Sequence, residues 1–209
     1  MNKLEYQAEL FTNRLRKRYK ELRKWARKNR ISCYRLYDRD IPEVPVSLDL
    51  YEFLPDEIDT PVEAARFLSD QNARLSANDP DVEAGIKERT YAVLYLYERP
   101  YEKDETEEEI WLDLMAKSAA EILGIPDEHI VKKSRGHKSH KDDDQYKKVS
   151  HAELVSASTL ERSRNKFGMT EGLTQEQGQI FRLNLTSYLD TGLFFDHRPL
   201  RSIVRDTCS

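Results

Sequence analysis

Nothing in this chain approaches the roughly 18 apolar residues that a helix needs to cross a bilayer. Its start, MNKLEYQAELF, has no apolar signal core. These absences predict a protein with neither a helical membrane anchor nor a secretory leader. Cysteine is scarce as well. Cys33 and Cys208 lie far apart and form no CxxC pair, which excludes a thiolate metal knuckle and predicts a reduced, cytoplasmic protein. Glycine occurs seven times, at positions 85, 124, 136, 168, 172, 178 and 192, and no two form GxG. None follows a strand and opens a helix, so the Gly-rich turn that cradles a dinucleotide-like cofactor is missing from this sequence. P-loop and HExxH motifs are absent too, as is any Ser-His-Asp order.

What is present is charge, unevenly spread. The 209 residues are 34% charged and 38% hydrophobic, with mean hydropathy −0.79, enough for one core with solvated appendages. The net charge of −4 hides a strong asymmetry. Ten bases crowd residues 14–30: Arg14, Arg16, Lys17, Arg18, Lys20, Arg23, Lys24, Arg27, Lys28 and Arg30, against the single acid Glu21. A second basic stretch, 132–148, carries Lys132, Lys133, Arg135, Lys138, Lys141, Lys147 and Lys148. Between them, residues 38–128 are acidic. Positive charge gathered in two segments is what a chain needs to meet phosphates at two places.

Residues 4–29 show helical spacing. Leu4, Ala8, Phe11, Leu15, Tyr19, Leu22 and Ala26 recur every three or four residues, and the bases fall off that stripe. The stripe predicts packing on a sheet, with Trp25 also packed, and the bases predict RNA contact. SCYRLYD (32–38) and VSLDLYEF (46–53) alternate like paired strands joined by a connector containing Pro42 and Pro45. A short helix is expected after Pro61, then a loop through SANDPDVEAG. TYAVLYLY (90–97) is apolar on both faces and predicts a central strand. Thr106 and Glu109 suggest a capping box for a helix that ends at Gly124, followed by a strand over 129–135. GHKSHKDDDQYKK is read as an exposed loop; His137, His140 and Asp142–Asp144 there suit a metal poorly, because the lysines repel a cation. QIFRLNLT (179–186) predicts the last strand, and a helix begins near Pro199.

Three blocks carry a family resemblance: FTNRLRKRYKELRKWARKNRISCYRLYDRDIPE (11–43), the helix–strand unit 106–135, and NLTSYLDTGLFFDHRPLR (184–201). Together they resemble the S-adenosylmethionine-dependent class I methyltransferases that make 7-methylguanosine in bacterial 23S rRNA. The likeness covers about two-thirds of the chain. Residues 151–170, HAELVSASTLERSRNKFGMT, are similar instead to a translated bacterial intergenic repeat and are expected to be dispensable.

The resemblance implies an α+β fold: a basic N-terminal helix, a small, largely antiparallel sheet with one packed helix, and the start of a class I methyltransferase domain. The expected division is 1–30 for the helix, 31–150 for a central RNA-binding domain variable at 55–89, 151–172 for the insertion and 173–209 for the lead-in to a catalytic domain. The implied partner is 23S rRNA, with no DNA and no membrane. RNA contacts are expected from Arg14, Arg16, Lys17, Lys20, Arg23, Lys24, Arg27, Lys28, Lys132, Lys133 and Arg135. Thr191, Gly192, Asp196, His197 and Arg198 are expected to line the cofactor and substrate pocket, with Arg201 a weaker member. Two other roles compete for the last element: Asp196 as a helix cap and Arg198 as a structural ion-pair member. S-adenosylmethionine is the implied cofactor of the full-length family; for this chain alone none is expected, and it is predicted inactive. The competing reading is a non-enzymatic RNA-binding module, functional as it stands. A DNA-binding helix-turn-helix is disfavoured, since strand follows the first helix.

Overall fold

A computed structural model of the chain describes residues 2–97, 104–135, 171–187 and 190–208. The 151–170 repeat, the HKSHKDDDQYKK loop and the bases at 138, 141, 147 and 148 lie outside the described residues.

Helix α1, Lys3–Asn29, begins with a reciprocal cap: the Glu5 backbone N–H donates to Asn2 Oδ1 at 2.8 Å, and the Asn2 N–H donates to Glu5 Oε2 at 2.9 Å. It ends at Arg30, which turns left-handed with φ 54°. Its apolar stripe packs as the spacing predicts. Phe11, Leu15 and Ala26 are buried, with Leu4, Ala8, Tyr19 and Leu22 packed around them.

Strands β1 (Cys33–Asp38), β2 (Val46–Glu52), β3 (Thr90–Tyr97) and β4 (Ile130–Arg135) form one sheet in that order. The β1–β2 and β2–β3 pairs are antiparallel and β3–β4 is parallel, so the sheet is largely antiparallel with β3 inside it. A parallel pair needs a crossover. Helix α4, Glu105–Leu123, supplies it and ends on Gly124 at φ 67°. Its cap differs from the expected capping box: Asp104 accepts from the N–H groups of Thr106 and Glu107. An aspartate two residues earlier takes the N-cap and satisfies first-turn donors, so the helix starts sooner and Thr106 becomes helical.

Helices α1 and α4 lie side by side on one face of the sheet. Trp111 and Met115 of α4 are fully buried there against Leu48, Leu94 and Leu96. A β-bulge between Arg35 and Tyr37 lets both Leu36 and Tyr37 join this core, where Tyr37 meets Phe11 edge-on at 5.0 Å. The buried Gln7 ties the layer together: it accepts from Trp111 Nε1 at 2.9 Å and donates to the Glu43 carbonyl at 3.0 Å.

Residues 55–89 are more helical than the sequence reading has them. Helix α2 spans Pro61–Ser76, and α3, Pro80–Glu88, occupies the expected SANDPDVEAG loop. Asp79 caps α3 by accepting from the Asp81 N–H at 3.0 Å, and Pro80 sits in its first turn. An Asp-Pro pair thus starts a helix where it reads as a turn.

The other face of the sheet packs Tyr51, Phe53, Tyr91, Val93 and Tyr95 against Leu183, Leu185 and Leu193. A hairpin, β5 (Glu171–Glu176) and β6 (Gln179–Asn184), covers part of it. Its two-residue turn uses left-handed Gln177 and Gly178, the hairpin geometry that matches strand twist. Strand β5 has no counterpart in the sequence reading, because EGLTQE lacks the β-branched and aromatic run that marks β3. Pairing supplies what propensity does not. The Leu54 N–H donates to the Leu173 carbonyl at 2.7 Å, and Thr174 Oγ1 to the Glu52 carbonyl at 3.0 Å. Gly172 lies flat on the Phe53 ring; a Cβ there would sit 2.6 Å from it. The last helix, α5, spans Arg198–Cys208.

Candidate nucleic-acid interface

The bases of α1 divide into two sets. Arg14 pairs with Asp40 at 2.6 Å, Arg18 lies 3.9 Å from Asp40 and 3.8 Å from Glu21, and Arg23 pairs with Glu83 at 3.2 Å. These arginines bind the protein to itself. Lys17, Lys20, Lys24 and Lys28 are exposed and form no ion pair among the described residues. Spaced three or four residues apart, they form one row along the helix, opposite the buried stripe. Arg16 is exposed beside them and contacts only Asn13, at 3.2 Å, among the described side chains. Arg27 is half-buried.

The second basic segment behaves differently. Alternation along β4 sends Lys132 and Lys133 to opposite faces. Lys132 pairs with Asp113 of α4, and the Lys133 ammonium sits 5.8 Å from the centre of the Tyr95 ring. They do not extend the α1 row. The Arg135 side chain lies outside the described residues.

A cleft of about 440 Å³ opens on the hairpin side of the sheet, between β1–β3 and the segment 190–196. Its floor is a bidentate pair: Arg35 Nε and Nη2 donate to the two Asp49 oxygens at 2.7 and 3.0 Å. Asp49 is 3% exposed. The hydrogen bond to Asp49 raises the Arg35 pKa, so the guanidinium holds its charge at any accessible pH. Tyr51 Oη and Thr191 Oγ1 lie 2.9 Å apart across the cleft, and burial pushes the Tyr51 phenol up. Gly192, at φ 89°, turns the chain along the rim. The Phe195 ring tilts onto Tyr51 at 5.7 Å.

The expected pocket residues therefore separate. Thr191, Gly192 and Asp196 line the cleft. Asp196 and His197 point to solvent, 81% and 59% exposed. Arg198 faces the other way, donating to Glu176 at 2.7 Å and to the Cys33 carbonyl at 2.6 Å. Arg201 also bonds Glu176, and donates to the Phe194 carbonyl at 2.9 Å. The structural reading of Arg198 thus has a partner in the fold. Sequence reasoning missed Arg35, Asp49, Tyr51 and Tyr95. Asp49 alone left a trace, as a charge in the middle of an apolar strand. Cys33 is not a reactive group, since burial pushes its thiol up to about 12. Trp25, expected to be packed, is 41% exposed.

Among the described residues there is no cluster of three or more metal-ligating side chains, and no helix long and apolar enough to cross a membrane.

No family model matches the chain. Three curated proteins named ribosomal RNA large subunit methyltransferase K/L are similar to it. The one from Magnetococcus marinus is 30% identical over 198 residues, 95% of this chain and 20% of that protein. The Cellvibrio japonicus protein is 32% identical over 197 residues, 94% of this chain and 20% of its own length. The Shewanella frigidimarina protein is 33% identical over 199 residues, again 95% and 20%. Along nearly its whole length, and across 20% of theirs, the chain matches the bacterial ribosomal RNA large subunit methyltransferase K/L family.

Proposed function

We propose that this chain is the RNA-binding and positioning part of an S-adenosylmethionine-dependent methyltransferase acting in the cytoplasm on guanine N7 of 23S rRNA. The observation that carries the reading is the row of Lys17, Lys20, Lys24 and Lys28, unpaired by acids among the described residues, on a chain matched to rRNA methyltransferases. Such a row tracks a phosphate backbone. Guanine N7 carries a lone pair and no proton. The proposed target thus asks for placement of a base rather than for a general base, and placement is what a grip on flanking phosphates supplies.

The cleft beside Thr191, Gly192 and Asp196 is where the positioned base would approach the rest of such an enzyme. The sequence has no Gly-rich turn between a strand and a helix, and the cleft residues offer none. These residues do not by themselves form a cofactor site, so the role assigned to them is that of a wall. His197 and Arg198 are not proposed to touch a ligand: one is exposed beside Phe194, outside the cleft lining, and the other anchors α5.

Replacing Lys17, Lys20, Lys24 and Lys28 with glutamine tests the reading. Affinity for a 23S rRNA fragment should fall evenly across sequences. The salt dependence should flatten by about 0.7–0.9 per lost phosphate contact. Wild-type affinity and slope in the variant would reduce the row to a solvated surface.

A further inference from the structure

The outer face of α1 carries something the charge argument does not need. Two large aromatic side chains are partly exposed on it and at its flank: Tyr6, 47% exposed, and Trp25, 41% exposed. Tyr6 and Lys24 are separated by about five full turns and so lie on one line along the helix. Trp25 stands about 100° around the helix from that line, on the flank between the lysine row and the buried stripe, three residues from Lys28 on one side and from the packed Leu22 on the other. Tyr6 thus continues the lysine line and Trp25 borders it beside Lys28, about 28 Å apart by helix rise. Packing covers only part of the Trp25 side chain. Its one ring partner among the described residues is Tyr34, the two rings set edge-to-face at 6.2 Å, which steadies the indole while 41% of the residue stays exposed. The Asn29 amide donates to the Trp25 carbonyl at 2.7 Å, pinning the last turn that holds the ring.

We propose that the outer face of α1 binds unpaired RNA, with Trp25 stacking on a splayed base while Lys24 and Lys28 hold the phosphates beside it and Tyr6 offers a second platform at the far end. This rests on the RNA-binding reading above and narrows it from RNA in general to single-stranded segments such as loops and bulges. A duplex keeps its bases stacked inside and presents only phosphates to such a helix. An unpaired strand adds π-faces that an exposed indole can meet.

The protein carries its own reporter. It has two tryptophans, and Trp111 is fully buried. Quenching of tryptophan emission by a nucleic acid therefore reads Trp25. The full chain is titrated with a short oligouridine and, separately, with a blunt RNA duplex of the same strand length. Emission and fluorescence anisotropy of labelled RNA are followed together. Oligouridine should bind and quench; the duplex should bind without quenching. Trp25→Ala should lose the quench and weaken oligouridine binding about 5- to 150-fold, the range of one base–aromatic stack, while duplex affinity stays within about two-fold. Trp25→Phe should restore part of the oligouridine affinity. The remaining Trp111 emission and near-ultraviolet dichroism report that each variant is folded. If oligouridine binds with no quench, or Trp25→Ala binds it as the wild type does, stacking is wrong and the phosphate-binding reading survives. If neither RNA binds, both fall.

Discussion

Helices α1 and α5 use the same ingredients in opposite orientation. Each is amphipathic and rich in arginine. Helix α1 buries Phe11, Leu15 and Ala26 and turns its lysines to water. Helix α5 turns Arg198, Arg201 and Arg205 toward the hairpin, where the first two meet Glu176 and the third donates to the Gln177 carbonyl at 3.2 Å. It leaves Leu200, Ile203 and Val204 49–62% exposed. Periodicity tells that a helix has two faces, not which one is inward. The direction is set by what the neighbour offers. Against α1 stands an apolar sheet; against α5 stands a carboxylate that is 2% exposed.

The comparison breaks most visibly at Phe11. Phe11→Ala empties a fully buried site between α1 and Tyr37 and should cost about 4 kcal/mol in denaturant unfolding. A loss below about 1 kcal/mol would mean that the stripe does not hold α1 to the sheet. Next comes Glu176→Ala. It strands Arg198 and Arg201, whose side chains are 15% and 18% exposed. The expected loss is about 3 kcal/mol, since removing one partner leaves uncompensated charge. Faster tryptic cleavage after Arg201 should accompany it. Unchanged stability and cleavage would show that α5 is held by something other than this acid. The smallest effect is expected at Ile203→Ser, on the exposed side of α5, with stability within about 0.5 kcal/mol of wild type. A larger loss in the isolated chain would show that this face already has a cover.

The sequence made α1, β1 to β4 and α4 legible because each has a strong period or punctuation of its own. The left-handed stop at Gly124 is one case, and the doubly apolar β3 another. It left β5 dark because EGLTQE is a strand by virtue of its partners: β6 on one side, and the hydrogen bonds to Glu52 and Leu54 on the other. Asp79-Pro80 was ambiguous for a local reason, since the same dipeptide opens turns and helices. The candidate surfaces were half legible. The excess of positive charge on α1 was visible in the sequence. Its division into lysines that face water and arginines spent on Asp40 and Glu83 was not, because those acids lie 26 and 60 residues away in sequence. The cleft was read from its rim, at Thr191 and Gly192. Its floor, Arg35 on Asp49, arises only when two strands pair in one register.

Gly172 gives the hairpin a tolerance of one atom. The Phe53 ring fills the space where any other residue would place its first side-chain carbon, so the gap between hairpin and sheet is set by the thickness of a bare backbone. Glu176, at the far end of the same strand, holds α5 through two arginines. A wedge at Gly172 would therefore act as a lever: a small lift at one end of β5 would be transmitted along the strand to the carboxylate that anchors α5 at the other.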